Sequence, residues 1–156
     1  MKNVIFFISV FIFFVAASAD LKAQGIGNPG QIISRSQARH LFGEPIDFMS
    51  FNKKALLNLI KRSNSVLMIG RKNGRFVISN SGREVLYPSD VTIQSDEVMN
   101  AFGLEVLTEF LNQVEGNKVL IEIRPGEVLT ISSDTENTAD GYTLEYSVPC
   151  PPICPW

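Results

Sequence analysis

The stretch VLMIGRKNGRFVISN, residues Val66–Asn80, decides how this chain of 156 residues begins to fold. At its centre, Asn73-Gly74 is typical of a two-residue β-hairpin turn, because both turn positions need a positive φ. The register that this turn predicts places Ile69 opposite Ile78. Both faces of the first strand are apolar, so we expect that strand to lie at the centre of a sheet.

A second hairpin follows in the other half of the chain. KVLIEI, Lys118–Ile123, and VLTIS, Val128–Ser132, are joined across Pro125-Gly126, which suits the central positions of a type II turn. The two hairpins align with five identities, which leaves open an αβββ repeat over 51–94 and 95–148. We therefore predict an α+β fold of two successive helix–hairpin–strand units, which form an antiparallel sheet with the helices packed on one face.

Apolar periodicity predicts the helices that precede these hairpins. The first covers residues 52–62, with Asn52 as its cap. The second covers residues 95–114 and begins at a capping Ser95. The later segment 142–148 alternates strictly between apolar and polar side chains, and this pattern predicts a strand with one face towards water.

The start of the chain is typical of a secretory signal. Lys2 precedes an apolar run of sixteen residues, Val4–Ala19, which is shorter than the about 20 residues of a membrane-spanning helix. We expect cleavage after Ala19 or Ala23, which would leave a secreted or periplasmic protein with no stable membrane span. The predicted domains are a signal peptide (1–23), a flexible lead-in with a short helix (24–50), a single α+β domain (51–148) and a Cys/Pro tail (149–156).

Both cysteines of the chain lie close to its end, in VPCPPICPW, residues 148–156. In an oxidising compartment we expect Cys150 and Cys154 to form a disulfide. The loop that it closes is too short to stabilise the whole domain, so its effect is local, and the prolines stiffen the same segment. We therefore predict a rigid tail that presents Trp156 to a partner.

The alternative is a chemical role for the two cysteines. The segment CPPICP resembles the CPxxCP motif of Sco-type copper chaperones, and this resemblance implies Cu(I) binding or thiol–disulfide exchange by Cys150 and Cys154. That family has a thioredoxin fold, in which the motif opens a helix and a histidine lies far downstream. Here only Trp156 follows the motif and His40 lies upstream, so the resemblance covers six residues.

Charge is unevenly distributed along the chain. The formal net charge of −2 does not suggest a nucleic-acid-binding protein. Residues 53–83 include eight basic and no acidic side chains, whereas residues 90–145 include twelve acidic ones. Either the two segments attract each other within the fold, or the basic tip of the first hairpin, with Arg71, Lys72 and Arg75, meets an anionic partner.

Few groups could converge into a catalytic site. His40 is the only histidine, which excludes an HExxH motif and a His-rich zinc site. The GxSxG, P-loop and GxGxxG motifs are absent as well. The sequence therefore predicts an exported, non-enzymatic protein that binds another protein or a peptide without a cofactor, with copper at Cys150 and Cys154 as the alternative.

Overall fold

The computed structural model describes residues 30–134, 141–145 and 148–150, the last three by their backbone alone. The strands are β1 (Gln31–Ser34), β2 (Asp47–Asn52), β3 (Val66–Lys72), β4 (Arg75–Asn80), β5 (Val85–Tyr87), β6 (Met99–Gly103), β7 (Lys118–Arg124), β8 (Val128–Ser133), β9 (Tyr142–Glu145) and β10 (Val148–Cys150). The helices are α1 (Arg35–Phe42), α2 (Lys53–Ile60) and α3 (Leu104–Gln113). None of these helices is long and apolar enough to cross a membrane.

The strands form two antiparallel sheets of five strands each. Sheet A has the order β1-β9-β8-β7-β2, and sheet B has the order β10-β6-β3-β4-β5. The predicted sheet of two successive helix–hairpin–strand units, with helices on one face, is therefore wrong. The prediction fails because neither helix is preceded directly by the apolar–polar alternation that is typical of a strand.

Each central hairpin is completed by a strand from the other half of the chain. Strand β2 leads into α2 but pairs with β7, so that Phe51 lies opposite Val119. Strand β6 leads into α3 but pairs with β3, so that Leu67 lies opposite Phe102. Since each sheet contains strands from both halves, neither half can complete its sheet alone.

The first hairpin has the predicted geometry. Ile69 lies opposite Ile78, and both Asn73 (φ 50°) and Gly74 (φ 78°) have the positive φ that the turn requires. Strand β3 lies between β4 and β6, and its residues 66–70 are buried on both faces. The prediction of a central strand is therefore confirmed.

The inner faces of the two sheets share one hydrophobic core. Ile121 and Ile131 of sheet A pack into the same cluster as Ile69 and Ile78 of sheet B. Helices α2 and α3 contribute the buried side chains Leu56, Leu107, Phe110 and Leu111 to this cluster. Both helices therefore pack into a core that lies between two sheets.

Only the last part of the second predicted helix, residues 95–114, is helical. Residues Met99–Gly103 form β6, and α3 begins only at Leu104, with Gly103 as its N-cap. Phe102 faces the main core, whereas Met99 and Ala101 belong to a second cluster on the outer face of sheet B. Because this strand has apolar side chains on both faces, its sequence does not alternate between apolar and polar residues. Met99 and Phe102 therefore continue the apolar periodicity of helix α3.

Helix α1 covers part of the outer face of sheet A. Ser34 caps it by accepting a hydrogen bond from the backbone of Gln37, and it ends at Gly43, whose φ is 81°. The helix contacts β1 and β9. As a result Thr143 and Glu145, which were expected to face water, are buried.

Gly70 provides a test of the close contact between β3 and β6. A Cβ atom on Gly70 would lie 2.5 Å from Sδ of Met99 and 3.3 Å from the carbonyl oxygen of Val98. We expect Gly70→Ala to lower the free energy of unfolding by about 1–3 kcal/mol, because overpacking a tight site displaces its neighbours.

The matched control is Gly82→Ala, since a Cβ atom there would meet only Oδ1 of Asn80 at 3.4 Å. This variant should change the free energy of unfolding by less than about 0.5 kcal/mol. Chemical denaturation measures both variants, and an equal loss in the two would contradict the proposed packing at Gly70.

Candidate functional site

The basic residues expected to meet a partner lie together at the tip of the β3–β4 hairpin. Each forms an ion pair within the chain: Arg71 with Asp47 (2.8 Å), Lys72 with Glu97 (2.8 Å) and Arg75 with Asp90 (2.9 Å). Hydrogen bonds from Arg75 and Lys72 lower the pKa of Asp90 and of Glu97, respectively. Two of these three pairs join the basic and acidic segments, and all three reduce the charge available to an anionic partner.

The other predicted site residues belong to the tail. Cys154 and Trp156 lie outside the described residues, as does the signal peptide, and Cys150 is placed only by its backbone. In the pairing of β10 with β6, Cys150 stands opposite Met99. The disulfide and the partner contact at Trp156 therefore stay predictions.

A cluster of buried polar side chains lies on the outer face of sheet A. At its centre is Glu122 of β7, which is 1% exposed. Its Oε2 atom accepts hydrogen bonds from Nη2 of Arg124 and from Oγ of Ser132, both at 2.7 Å. Its Oε1 atom lies 3.4 Å from Nη2 of Arg35. Because both oxygens are engaged, we interpret Glu122 as a structural residue rather than a catalytic one.

The same cluster attaches both ends of α1 to sheet A. At the start of the helix, Nη1 of Arg35 donates a hydrogen bond to the carbonyl of Ser133. After its end, the carbonyl of Gly43 accepts a hydrogen bond of 2.5 Å from Nη1 of the fully buried Arg124. A buried ion pair needs such additional hydrogen bonds to offset its desolvation. The pattern of polar residues at matching positions of β7, β8 and β9 was the available sequence signal for this cluster.

Glu145 of β9 lies beside this cluster but is less well paired. It is 5% exposed, and its Oε2 atom has no hydrogen-bond partner among the described residues. Burial raises the pKa of this carboxyl, and the positive charge of Arg124 opposes that shift. A carboxyl whose pKa is higher in the folded state than in the unfolded state favours folding most at pH values below the unfolded pKa. That contribution to the free energy of unfolding is lost as the pH rises through the folded pKa.

Strand β2 forms an open edge of sheet A. It has six residues, and sheet A ends at this strand. The other edge strands are shorter: β1 has four residues, β5 has three, and β10 has three including Pro149. Short strands and prolines limit pairing with further strands, and β2 has neither feature.

Exposed apolar side chains surround the start of β2. Leu41, Ile46 and Phe48 are 61%, 68% and 62% exposed, and we call these three residues the edge patch. Phe48 lies opposite Glu122 in the strand register, so it projects from the outer face of sheet A. Helix α1 contacts β1 and β9, at the other side of the sheet. The outer-face side chains of β2 itself, Phe48, Ser50 and Asn52, are exposed, whereas Glu122 and Arg124 of the neighbouring β7 are buried.

Groups for metal or acid–base chemistry are sparse in the part of the chain that the structure describes. His40 is exposed on α1. Within residues 30–134, 141–145 and 148–150, no three His, Cys, Asp or Glu residues are placed to hold a metal ion.

Comparison of the chain with protein-family models, with curated proteins and with solved structures finds no match. The function therefore has to be inferred from the chemistry of the site.

We expect Glu145→Gln to raise the midpoint of thermal unfolding at neutral pH, because the amide removes a charge that burial disfavours. The gain should shrink as the pH falls through the folded pKa and vanish below about 4.3, the pKa of an unfolded glutamate, where the wild-type carboxyl is protonated in both states. Thermal unfolding followed by circular dichroism between about pH 4 and about pH 8 measures this dependence.

The comparison variant is Glu122→Gln, which removes the charge that pairs with the buried Arg124. It should cost about 3–5 kcal/mol of stability at neutral pH, since the guanidinium is left without its counter-charge. If Glu145→Gln also lowered the unfolding midpoint at neutral pH, the unfavourable burial of the Glu145 charge would be refuted.

Proposed function

We propose that this protein is an exported, non-enzymatic binding protein that recognises another polypeptide in extended conformation by adding it as a strand to β2. The observation that carries the proposal is the six-residue open edge of sheet A beside the edge patch. In such strand addition, backbone hydrogen bonds supply affinity and alternate side chains supply specificity.

The surroundings of β2 support this function because they make the strand rigid. All six residues of β2 pair with β7, whose Glu122 and Arg124 belong to the buried polar cluster. On the inner face, the ring of Phe51 packs edge-on against Tyr87 with 5.0 Å between the ring centroids. A strand that is already ordered loses little conformational entropy when a partner binds.

Export is part of the proposal and is supported by the sequence. The apolar run within residues 1–23 is typical of a secretory signal, and the Cys150–Cys154 pair suits an oxidising compartment. The partner is then another secreted or periplasmic protein or peptide, and Trp156 of the tail is a second contact that we propose for it.

The proposal is tested with a panel of synthetic peptides in which apolar and polar residues alternate. Fluorescence anisotropy measures their affinity for the exported protein. We expect Phe48→Lys to weaken the binding of such peptides by about tenfold, because a charge at an open sheet edge opposes strand addition.

The matched control is Val98→Lys, since Val98 is 61% exposed against 62% for Phe48 but lies directly before β6 of sheet B. This control should bind the peptides with wild-type affinity. Equal weakening by the two variants, or a panel in which no peptide binds the monomeric wild-type protein, would overturn the proposal.

A second candidate function, Cu(I) binding or thiol–disulfide exchange, is favoured by the strand register. Cys150 stands opposite Met99, whose buried side chain packs in one cluster with Met68. Thiolate and thioether sulfurs are ligands that Cu(I) prefers. We therefore keep a copper role for Cys150 and Cys154 as the alternative.

This alternative predicts that the reduced protein binds Cu(I) in competition with a chelator, that Cys150→Ser abolishes binding and that Met99→Leu weakens it. Leucine conserves the volume of the methionine and removes its sulfur. Thiols are counted before and after reduction in the same preparation. A stable disulfide, with no tight Cu(I) binding after reduction, would eliminate the copper role and leave the strand-addition proposal intact.

A further inference from the structure

We propose that the polypeptide that adds to β2 is a second copy of this chain. The two β2 strands would pair antiparallel about a two-fold axis and join two sheets of five strands into one continuous sheet. This inference rests on the proposed function, because it uses the same open edge.

The charges along this edge are complementary to those of an antiparallel copy. Glu44 lies three residues before β2, and Asp47, which is paired with Arg71, is its first residue, whereas Lys53 and Lys54 directly follow its end. Antiparallel pairing places the acidic start of one copy beside the basic end of the other, and the two-fold axis produces this contact twice. A parallel copy would instead bring like charges together, so the pattern specifies the antiparallel arrangement.

The side chains at both ends can form contacts between copies. Glu44 is exposed, and its ion pair with Arg39 (3.3 Å) lies on the surface, where such pairs contribute little to stability. Lys54 is exposed, and it has no ion pair in the described part of the chain. The Nζ atom of Lys53, by contrast, donates to the carbonyl of Val114 at 2.7 Å. Glu44 and Lys54 are therefore the pair that we assign to the contact between copies.

The direction of the side chains restricts the register. Residues that lie opposite each other in an antiparallel pair face the same side of the sheet. With the two-fold axis at Phe48, the two Phe48 rings meet on the outer face, and Asp47 lies opposite Met49 of the second copy. Glu44 of one copy, before the strand, and Lys54 of the other, at the start of helix α2, then lie at the same end of the paired strands. Aromatic and apolar pairs across strands stabilise such a contact.

The Cys/Pro tail of the same chain is a poorer occupant of this edge. Strand addition needs backbone N–H donors, and four of the eight residues 149–156 are prolines, which have none.

Sedimentation velocity on the exported protein tests this inference over a wide range of concentrations. We expect a dimer, whose dissociation constant rises by about tenfold in Phe48→Lys and stays unchanged in Val98→Lys. Circular dichroism verifies that each variant is folded, which the exposure of both side chains favours.

A charge exchange tests the antiparallel arrangement without altering the edge patch. Glu44→Lys and Lys54→Glu should each weaken the dimer by roughly fivefold, and the double variant should regain most of the wild-type affinity, because the two charges are restored in reversed order. If the double variant is as weak as the single variants, the antiparallel contact is wrong.

The two proposals fail in different ways. A protein that stays monomeric at every concentration but binds extended peptides through β2 would overturn the dimer and leave the proposed function standing. A monomer that binds no peptide would overturn both. A dimer that Phe48→Lys does not weaken would place the contact elsewhere and overturn this inference.

Discussion

Two strand pairings between the halves of the chain, β2 with β7 and β6 with β3, determine the rest of the structure. Strands β2 and β6 each lead into a core helix, and each pairs with a strand from the other half of the chain. Both sheets and both core helices therefore pack around one hydrophobic core. These pairings join residues far apart in sequence, so their loop-closure entropy must be offset by the burial that the core provides. The pairing with β7 also places β2 at the edge of sheet A, and this open edge is the proposed binding surface.

The outer face of sheet A is buried at β7 and β8 and exposed at the edge strand β2. Over β1 and β9, α1 covers the sheet, and the ion pair of Glu122 with Arg124 attaches the end of this helix through Gly43. A buried pair of this kind is weak evidence for stability, but its hydrogen bond to the carbonyl of Gly43 holds the end of the helix against the sheet. Over β2 nothing in the described part of the chain covers the face, and the edge patch is left in contact with solvent.

Predictions from the sequence succeeded where the signal was local and failed where no local pattern marks the element or its burial. The hairpin at Asn73-Gly74 and the cap at Asn52, whose side chain accepts from the backbone of Ala55, were both predicted. Strand β2 was missed because Phe48 and Phe51 lie on opposite faces, and their spacing of three residues does not resemble an alternating strand. Nothing near Glu145 in the sequence indicates that a helix far upstream covers it.

The sequence by itself determined the turns, the caps and the positions of the central hairpins, because positive φ angles and capping hydrogen bonds depend on residues a few positions apart. Only the tertiary structure decided which strands pair, which polar side chains are buried and which sheet edge stays open. Each of these depends on segments that meet only after the chain has packed, and no local pattern of residues records which distant strand will be the neighbour.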